Sequence, residues 1–230
     1  MKIRFLISLF VLLGLSDVYA QTETNSVVLP DNALELYRFR KPDGGERVFF
    51  EFGVSNNNEY GSYKLYTQDV GNKPRQLVLF YDRYNDGENM YEDGWFTPLY
   101  YRISPNRQNL YVVTQIHANS NGWTREYQMF KIDCKTLKVS LIADCAGVKT
   151  AKNGFTIAVA RLKNKKETFT YKQKWLIHDV LIDWEGKTIK KFTNEYHPNQ
   201  LSDRYADSSE DYTYIKGFKT NKDIRESSYE

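Results

Sequence analysis

Residues 99–144 read LYYRISPNRQNLYVVTQIHANSNGWTREYQMFKIDCKTLKVSLIAD. Four short runs rich in Tyr, Val, Ile and Phe stand out: Leu99–Ser104, Asn109–Gln115, Glu126–Asp133 and Lys138–Ala143. Each is bounded by turn formers or a polar loop, which is the pattern of strands. Ser104-Pro105-Asn106-Arg107 supplies the first turn, because proline presets φ and asparagine tolerates unusual φ. Asp133-Cys134-Lys135-Thr136 supplies the last. The stretch therefore predicts one four-stranded antiparallel meander.

Two looser versions flank it. In the first, strands are expected at Leu34–Arg40, Arg47–Val54, Ser62–Asp69 and Arg75–Tyr81. In the third, Val148–Lys190, they are expected around the turn Lys152-Asn153-Gly154, at Phe155–Leu162, through Trp175–Trp184, and at Thr188–Phe192. The three turns align as Pro42-Asp43-Gly44, Pro105-Asn106-Arg107 and Lys152-Asn153-Gly154, and the third strands end at Asp69, Asp133 and Asp183. Turn and aspartate are 27, 28 and 31 residues apart, so the chain is an internal repeat. Each aspartate is expected to cap a hairpin by accepting amides two residues on. The fold class is all-β: three antiparallel four-stranded meanders over about 33–81, 99–144 and 148–192.

The residues Ile103-Ser104-Pro105-Asn106, Leu110-Tyr111-Val112-Val113, Tyr127–Asp133 and Lys138–Ile142 together resemble a blade of a TolB-type or WD40-like β-propeller. In those families a Ser-Pro-Asp-Gly turn precedes strand two, and a strand ending in Asp precedes the closing hairpin. This chain lacks the glycine after Pro105-Asn106, and its third unit lacks Ser-Pro. The resemblance implies blade-like meanders in propeller-like succession. Propellers have four or more blades, so three units imply an incomplete ring whose outer sheets need covering. Either terminal segment, Val27–Leu29 or Tyr212–Phe218, is expected to add a strand there, in preference to a dimer closing six units or an open stack.

Residues 1–20 have the form of a signal peptide. Lys2 and Arg4 precede an apolar run over Phe5–Leu15, and Val18-Tyr19-Ala20 suits cleavage. The run is too short for a membrane span. Without Lys2, Arg4 and Asp17 the chain keeps 30 basic and 28 acidic residues, or +2. That near-neutral balance implies no nucleic-acid partner and no membrane insertion of the mature chain. The expected localisation is periplasmic or extracellular. Residues 21–200 are read as a single β-rich domain and 201–230 as a polar, partly disordered tail; a monomer is favoured.

Catalytic patterns are sparse. His117, His178 and His197 form no close metal pair, and no nucleophile elbow or phosphate loop is present. His178 and Asp179 are neighbours in a predicted strand, so they face opposite sides. Cys134 falls in a turn and Cys145 lies roughly 20 Å along the next strand at ordinary strand rise. A disulfide needs the α-carbons within about 7 Å, so two free thiols are expected.

The insertion 82–98, DRYNDGENMYEDGWFTP, is the best site candidate. Asp82, Asp86, Glu88, Glu92 and Asp93 are hard oxygen ligands, but their spacing is not that of an EF-hand, and no metal or cofactor is assigned. Acids beside aromatics suit carbohydrate: ring faces meet sugar C–H surfaces and carboxylates accept hydroxyl hydrogens. The candidate ligand-binding residues are Tyr84, Asp86, Tyr91, Glu92 and Trp95, with Trp123 from the loop Asn121-Gly122-Trp123. No catalytic residue is assigned. The expected function is an exported, non-catalytic module that binds a protein or carbohydrate ligand. The alternative is a glycan-active enzyme using a carboxylate pair from the insertion.

The signal pattern makes a direct prediction. Intact-mass measurement of the exported protein should find Gln21 at its N-terminus; retention of Met1–Ala20 contradicts cleavage.

Overall fold

The computed structural model describes residues 26–54, 62–77, 96–116, 127–162, 175–206, 214–220 and 223–224. The expected signal peptide lies outside them.

The first meander comprises β1 (Ala33–Arg40), β2 (Glu46–Val54), β3 (Ser62–Asp69) and β4 (Arg75–Gln76). The second comprises β5 (Phe96–Ile103), β6 (Asn109–Ile116), β7 (Tyr127–Asp133) and β8 (Val139–Cys145). The third comprises β9 (Gly147–Ala151), β10 (Gly154–Leu162), β11 (Trp175–Asp183) and β12 (Thr188–Tyr196). Each forms its own sheet in chain order, all pairs antiparallel. A short helix α1 (Leu201–Tyr205) follows, then two-residue strands β13 (Ile215–Lys216) and β14 (Lys219–Thr220).

The sheets stack face to face. Phe49, Leu65 and Leu77 of sheet 1 pack on Tyr101, Leu110, Val112, Phe130 and Ile132 of sheet 2. The opposite face of sheet 2, with Tyr111, Val113, Tyr127 and Met129, packs on Phe155, Ile157, Val180 and Ile182 of sheet 3. Alternating side chains of β6 thus meet different sheets, and both sets are apolar, so the run Leu110-Tyr111-Val112-Val113 is unbroken. The outer faces are capped by short segments. Val27 covers Val48 and Phe50 on sheet 1. Leu201 and Tyr205 of α1 cover Ala158 and Ile177 on sheet 3.

Several expectations need correcting. Residues 27–30 are not a strand; Val27 is held as a cap by Glu46, whose Oε2 accepts its amide at 3.2 Å and the Arg38 guanidinium at 2.5 Å. Phe96–Pro98, read as part of the insertion, begin β5. Leu201 onward, read as a polar tail, supplies buried Leu201, Tyr205 and Ile215. As expected of Tyr212–Phe218, β13 adds a strand to outer sheet 3, while sheet 1 gains none among the described residues. β13 runs parallel to β9, and β14 antiparallel to β5, so they extend sheets 3 and 2 at their first strands. Twenty charged, hydroxyl or amide residues among the thirty of 201–230 mask such anchors in a composition window.

The missing propeller glycine has a local explanation. Gly44 has φ +86°, and Arg107, its counterpart, has φ +57°. The turn keeps its left-handed residue without glycine because Ser104 holds both ends: its carbonyl accepts the Arg107 amide at 2.8 Å, and its Oγ accepts the Asn109 amide at 3.0 Å. Both cysteines are buried free thiols, Cys134 in the turn and Cys145 at the end of β8. Burial, reinforced by the Asp133 charge, pushes the Cys134 thiol up to about 12.

Two repeat aspartates do cap their hairpins. Asp133 Oδ1 accepts the amides of Lys135 and Thr136 at 2.9 and 2.6 Å, and Asp183 Oδ1 those of Glu185 and Lys187 at 2.9 and 2.7 Å. Asp69 instead forms a two-pronged ion pair with Arg47 (2.5 and 2.8 Å). Arg47, only 8% exposed, also donates to the carbonyls of Cys134 and Lys135 at 2.9 and 2.7 Å. It therefore fastens sheet 1 to the Asp133 turn of sheet 2.

The Arg47 hydrogen bond is the leading cause that holds the Asp69 carboxyl below its ordinary range. A carboxyl with a lowered folded pKa contributes stability above its unfolded value, about 3.9, and loses it as the pH falls through the folded value. Arg47→Met should cost about 2–3 kcal/mol near neutrality, somewhat below the range for a fully buried pair. Urea unfolding from pH 7 to 3 should show the gap to the parent narrowing below about pH 4; a constant gap contradicts the pairing.

Candidate functional site

A four-stranded meander sends its connections alternately to two ends. At one end lie the tight turns: Lys41–Gly45, Ser104–Asn109 and the aspartate hairpins. The longer connections leave from the opposite end, where β2 stops at Val54, β6 at Ile116 and β10 at Leu162. Tyr84, Asp86, Tyr91, Glu92, Trp95 and Trp123 all lie outside the described residues, as does His117. Their points of attachment are described. Phe96, the residue after Trp95, pairs with Ile116, and Gln115 pairs with Tyr127. The segments 78–95 and 117–126 thus begin or end on three adjacent strands, β5, β6 and β7.

Beneath that end the packing turns polar. Glu51 is 1% exposed, Thr114 and Gln128 are 0% exposed, and all three point between sheets 1 and 2. The Tyr101 hydroxyl donates to Glu51 Oε1, joining β5 to β2 across the two sheets. Burial, with the Glu51 charge beside it, pushes the Tyr101 phenol well above its ordinary value, so it stays a donor. Gln128 Nε2 donates to Asp144 Oδ1 at 3.0 Å, and Thr114 Oγ1 to the Gln128 carbonyl at 3.5 Å. Register aligns these residues, since Thr114 pairs with Gln128 and Gln128 with Asp144. This polar layer was missed at the sequence level. Its signal is Glu51 itself: one acid inside Phe49-Phe50-Glu51-Phe52, a strand apolar on both faces.

A second polar cluster lies on the outer face of sheet 3. Asp179 Oδ1 accepts the Tyr196 and Tyr205 hydroxyls at 2.6 and 2.8 Å, while Oδ2 pairs with Arg204 at 3.2 Å. The Arg204 guanidinium sits 4.0 Å from the Tyr196 ring centre. Burial raises both phenols; for Tyr196 the Asp179 hydrogen bond adds to it, and for Tyr205 the neighbouring Tyr196 does. Raised phenols beside a carboxylate are donors and not bases, so this cluster anchors α1 to the sheet. His178 pairs with Val159 and Asp179 with Ala158, so the two side chains take opposite faces of β11. Among the described residues no group of three His, Cys, Asp or Glu is placed to hold a metal ion.

No protein-family model matches the chain, and no curated protein matches it. A solved structure to which it is similar is an acylaminoacyl peptidase in complex with Z-Gly-Gly-Phe-chloromethyl ketone, at 10% identity and a TM-score of 0.33. The match covers 72% of this chain and 25% of that one, so the chain spans about a quarter of that protein's length. At that score the likeness carries no inference about function.

The Tyr101–Glu51 bond has a measurable weight. Tyr101→Phe keeps the ring and removes the donor to a buried carboxyl, which should cost about 1–3 kcal/mol. Equilibrium urea unfolding checks it; a loss under about 0.5 kcal/mol means the bond does not bear on folding.

Proposed function

We propose that the mature chain is an exported, non-catalytic binding module, and that it takes a carbohydrate at the end of sheets 1 and 2 from which segments 78–95 and 117–126 emerge. One observation carries this reading. Phe96 pairs with Ile116, and Gln115 with Tyr127, so the segments bearing Trp95 and Trp123 attach to neighbouring strands. Two loops rooted side by side on a rigid sheet are the usual way a β-scaffold presents a ligand surface. The composition of those segments suits a sugar: aromatic faces for the C–H surfaces, and Asp86 and Glu92 to accept hydroxyl hydrogens. The floor is firm, because sheet 2 is buried on both faces and Tyr101 ties it to Glu51.

A glycan array probed with the mature chain should return a defined class of glycan. Trp95→Ala and Trp123→Ala should each weaken that binding at least about tenfold, equivalent to some 1.4 kcal/mol, without lowering the unfolding midpoint. An empty array, or full binding by both variants, overturns the proposal. Hydrolysis of the bound glycan that is abolished by Asp86→Asn or Glu92→Gln replaces it with a carboxylate-pair enzyme.

A further inference from the structure

Sheets 2 and 3 are each complete as meanders before the C-terminal segment joins them. Every strand from β5 to β8 and from β9 to β12 pairs with its chain neighbour. β13 and β14 are different in kind. They come from the end of the chain, add only two residues each, and lie on the outer edges of the two first strands. They also cross from one sheet to another. Ile215 and Lys216 pair with Val148 and Lys149 in the parallel sense, then Lys219 and Thr220 pair with Tyr101 and Tyr100 in the antiparallel sense.

The receiving edges are shaped for this segment. The Val148 amide donates to the Tyr214 carbonyl at 2.8 Å. At Gly147 a β-carbon would lie 2.9 Å from that carbonyl oxygen and 3.2 Å from Tyr205 Cδ1, so a side chain there would push the segment off. Gly217, at φ +77°, makes the change of sheet; a β-carbon on it would overlap Thr150 Oγ1. Either side of that glycine, one apolar side chain points into the protein. Ile215 is 8% exposed within the core shared by sheets 2 and 3. The Phe218 ring lies 5.5 Å from that of Phe155, which is itself fully buried. The segment ends in a local stop, where Asp223 Oδ2 accepts the Thr220 amide and hydroxyl, both at 2.7 Å.

Backbone pairing to a free sheet edge with pockets for spaced side chains is how β-scaffolds bind extended peptides. We propose that the free edges of β9 and β5 form a peptide-binding groove, and that residues 214–220 of this chain are its separable resident ligand. The groove reads an apolar residue, a spacer, a glycine, an aromatic residue, a spacer and a threonine, as in Ile215-Lys216-Gly217-Phe218-Lys219-Thr220. The ligand is covalently joined to α1, so its binding is intramolecular and two-residue strands suffice for occupancy. The groove and the proposed carbohydrate surface share β5 but use different parts of it, the edge at Tyr100–Tyr101 and the end at Phe96, and neither reading depends on the other.

The test keeps the whole chain. A protease recognition sequence is inserted between Asp207 and Ser208, and the folded protein is cut. A fluorescent peptide spanning Tyr212–Arg225 is then titrated into cut and uncut protein. The cut protein should retain its tail on gel filtration at high concentration and release it in exchange for the labelled peptide. The peptide should bind the cut form about 100-fold more tightly than the uncut form, where the tethered tail competes. A Gly217→Val peptide should bind at least about tenfold more weakly than its parent, because it meets Thr150. Equal binding to cut and uncut protein, or by both peptides, overturns the groove. A tail that leaves on cutting with no change in unfolding midpoint overturns its occupancy. A tail that exchanges only when the protein unfolds shows it to be an integral strand, which also overturns the proposal.

Discussion

The middle sheet has no solvent face, and the rest of the structure follows from that. Leu110, Tyr111, Val112 and Val113 are each at most 1% exposed, although adjacent side chains point in opposite directions. A strand buried on both sides is stable only if each face finds an apolar partner sheet. Sheets 1 and 3 supply those partners, and each is left with one outer face to cover. The chain covers these with its nearest segments: Val27 on sheet 1, and α1 on sheet 3. The terminal layers of stacked repeats generally require such caps.

Apolar contact alone does not fix how far one sheet slides or turns on the next. Directed polar bonds do, and they recur at one register position. The residue facing the repeat aspartate is Arg47 in the first unit, Asn109 in the second and Gly154 in the third. Arg47 donates to the carbonyls of Cys134 and Lys135, one and two residues past Asp133. Asn109 Nδ2 donates to the Trp184 carbonyl and to Glu185 Oε2, each at 3.2 Å, one and two residues past Asp183. The first and second units therefore each grip the aspartate turn of the next. Tyr111 and Lys131 strengthen the second grip, the tyrosine hydroxyl donating to the Trp184 carbonyl and the lysine to that of Glu185 at 2.7 Å. Gly154 carries no side-chain donor, and a β-carbon there would run into the Ile182 carbonyl. The third unit has no side chain to grip with at this position, and its outer face is covered farther along the strands by α1, over Ala158 and Ile177.

The two ends of the sheets consequently differ in character. The turn end is knitted by these bonds. The opposite end holds a buried polar layer, Glu51 with Tyr101 and Gln128 with Asp144. Buried hydrogen-bonded groups are costly to disturb and hold the strands that bear them in one relative position. The longer connections spring from strands positioned in this way.

The sequence by itself determined the meanders. Strand residues alternate or run apolar, and Pro, Asn, Asp and Gly mark turns through their own backbone preferences, all within a few residues. Ser62–Asp69 has the bounds that its residues predict, and Asp133 and Asp183 accept the amides expected of hairpin caps. The tertiary structure decided what depends on residues far apart in the chain. Asp69 has the same local setting as Asp133, yet it pairs with Arg47, because that arginine is held against a turn 87 residues away. Glu51 reads as a surface acid until a second sheet covers it. Ile215 and Phe218 read as isolated apolar residues in a polar tail. Two-residue strands have no periodicity of their own; only the edges of β9 and β5, built from residues 67 and 118 to 120 positions earlier, make them strands.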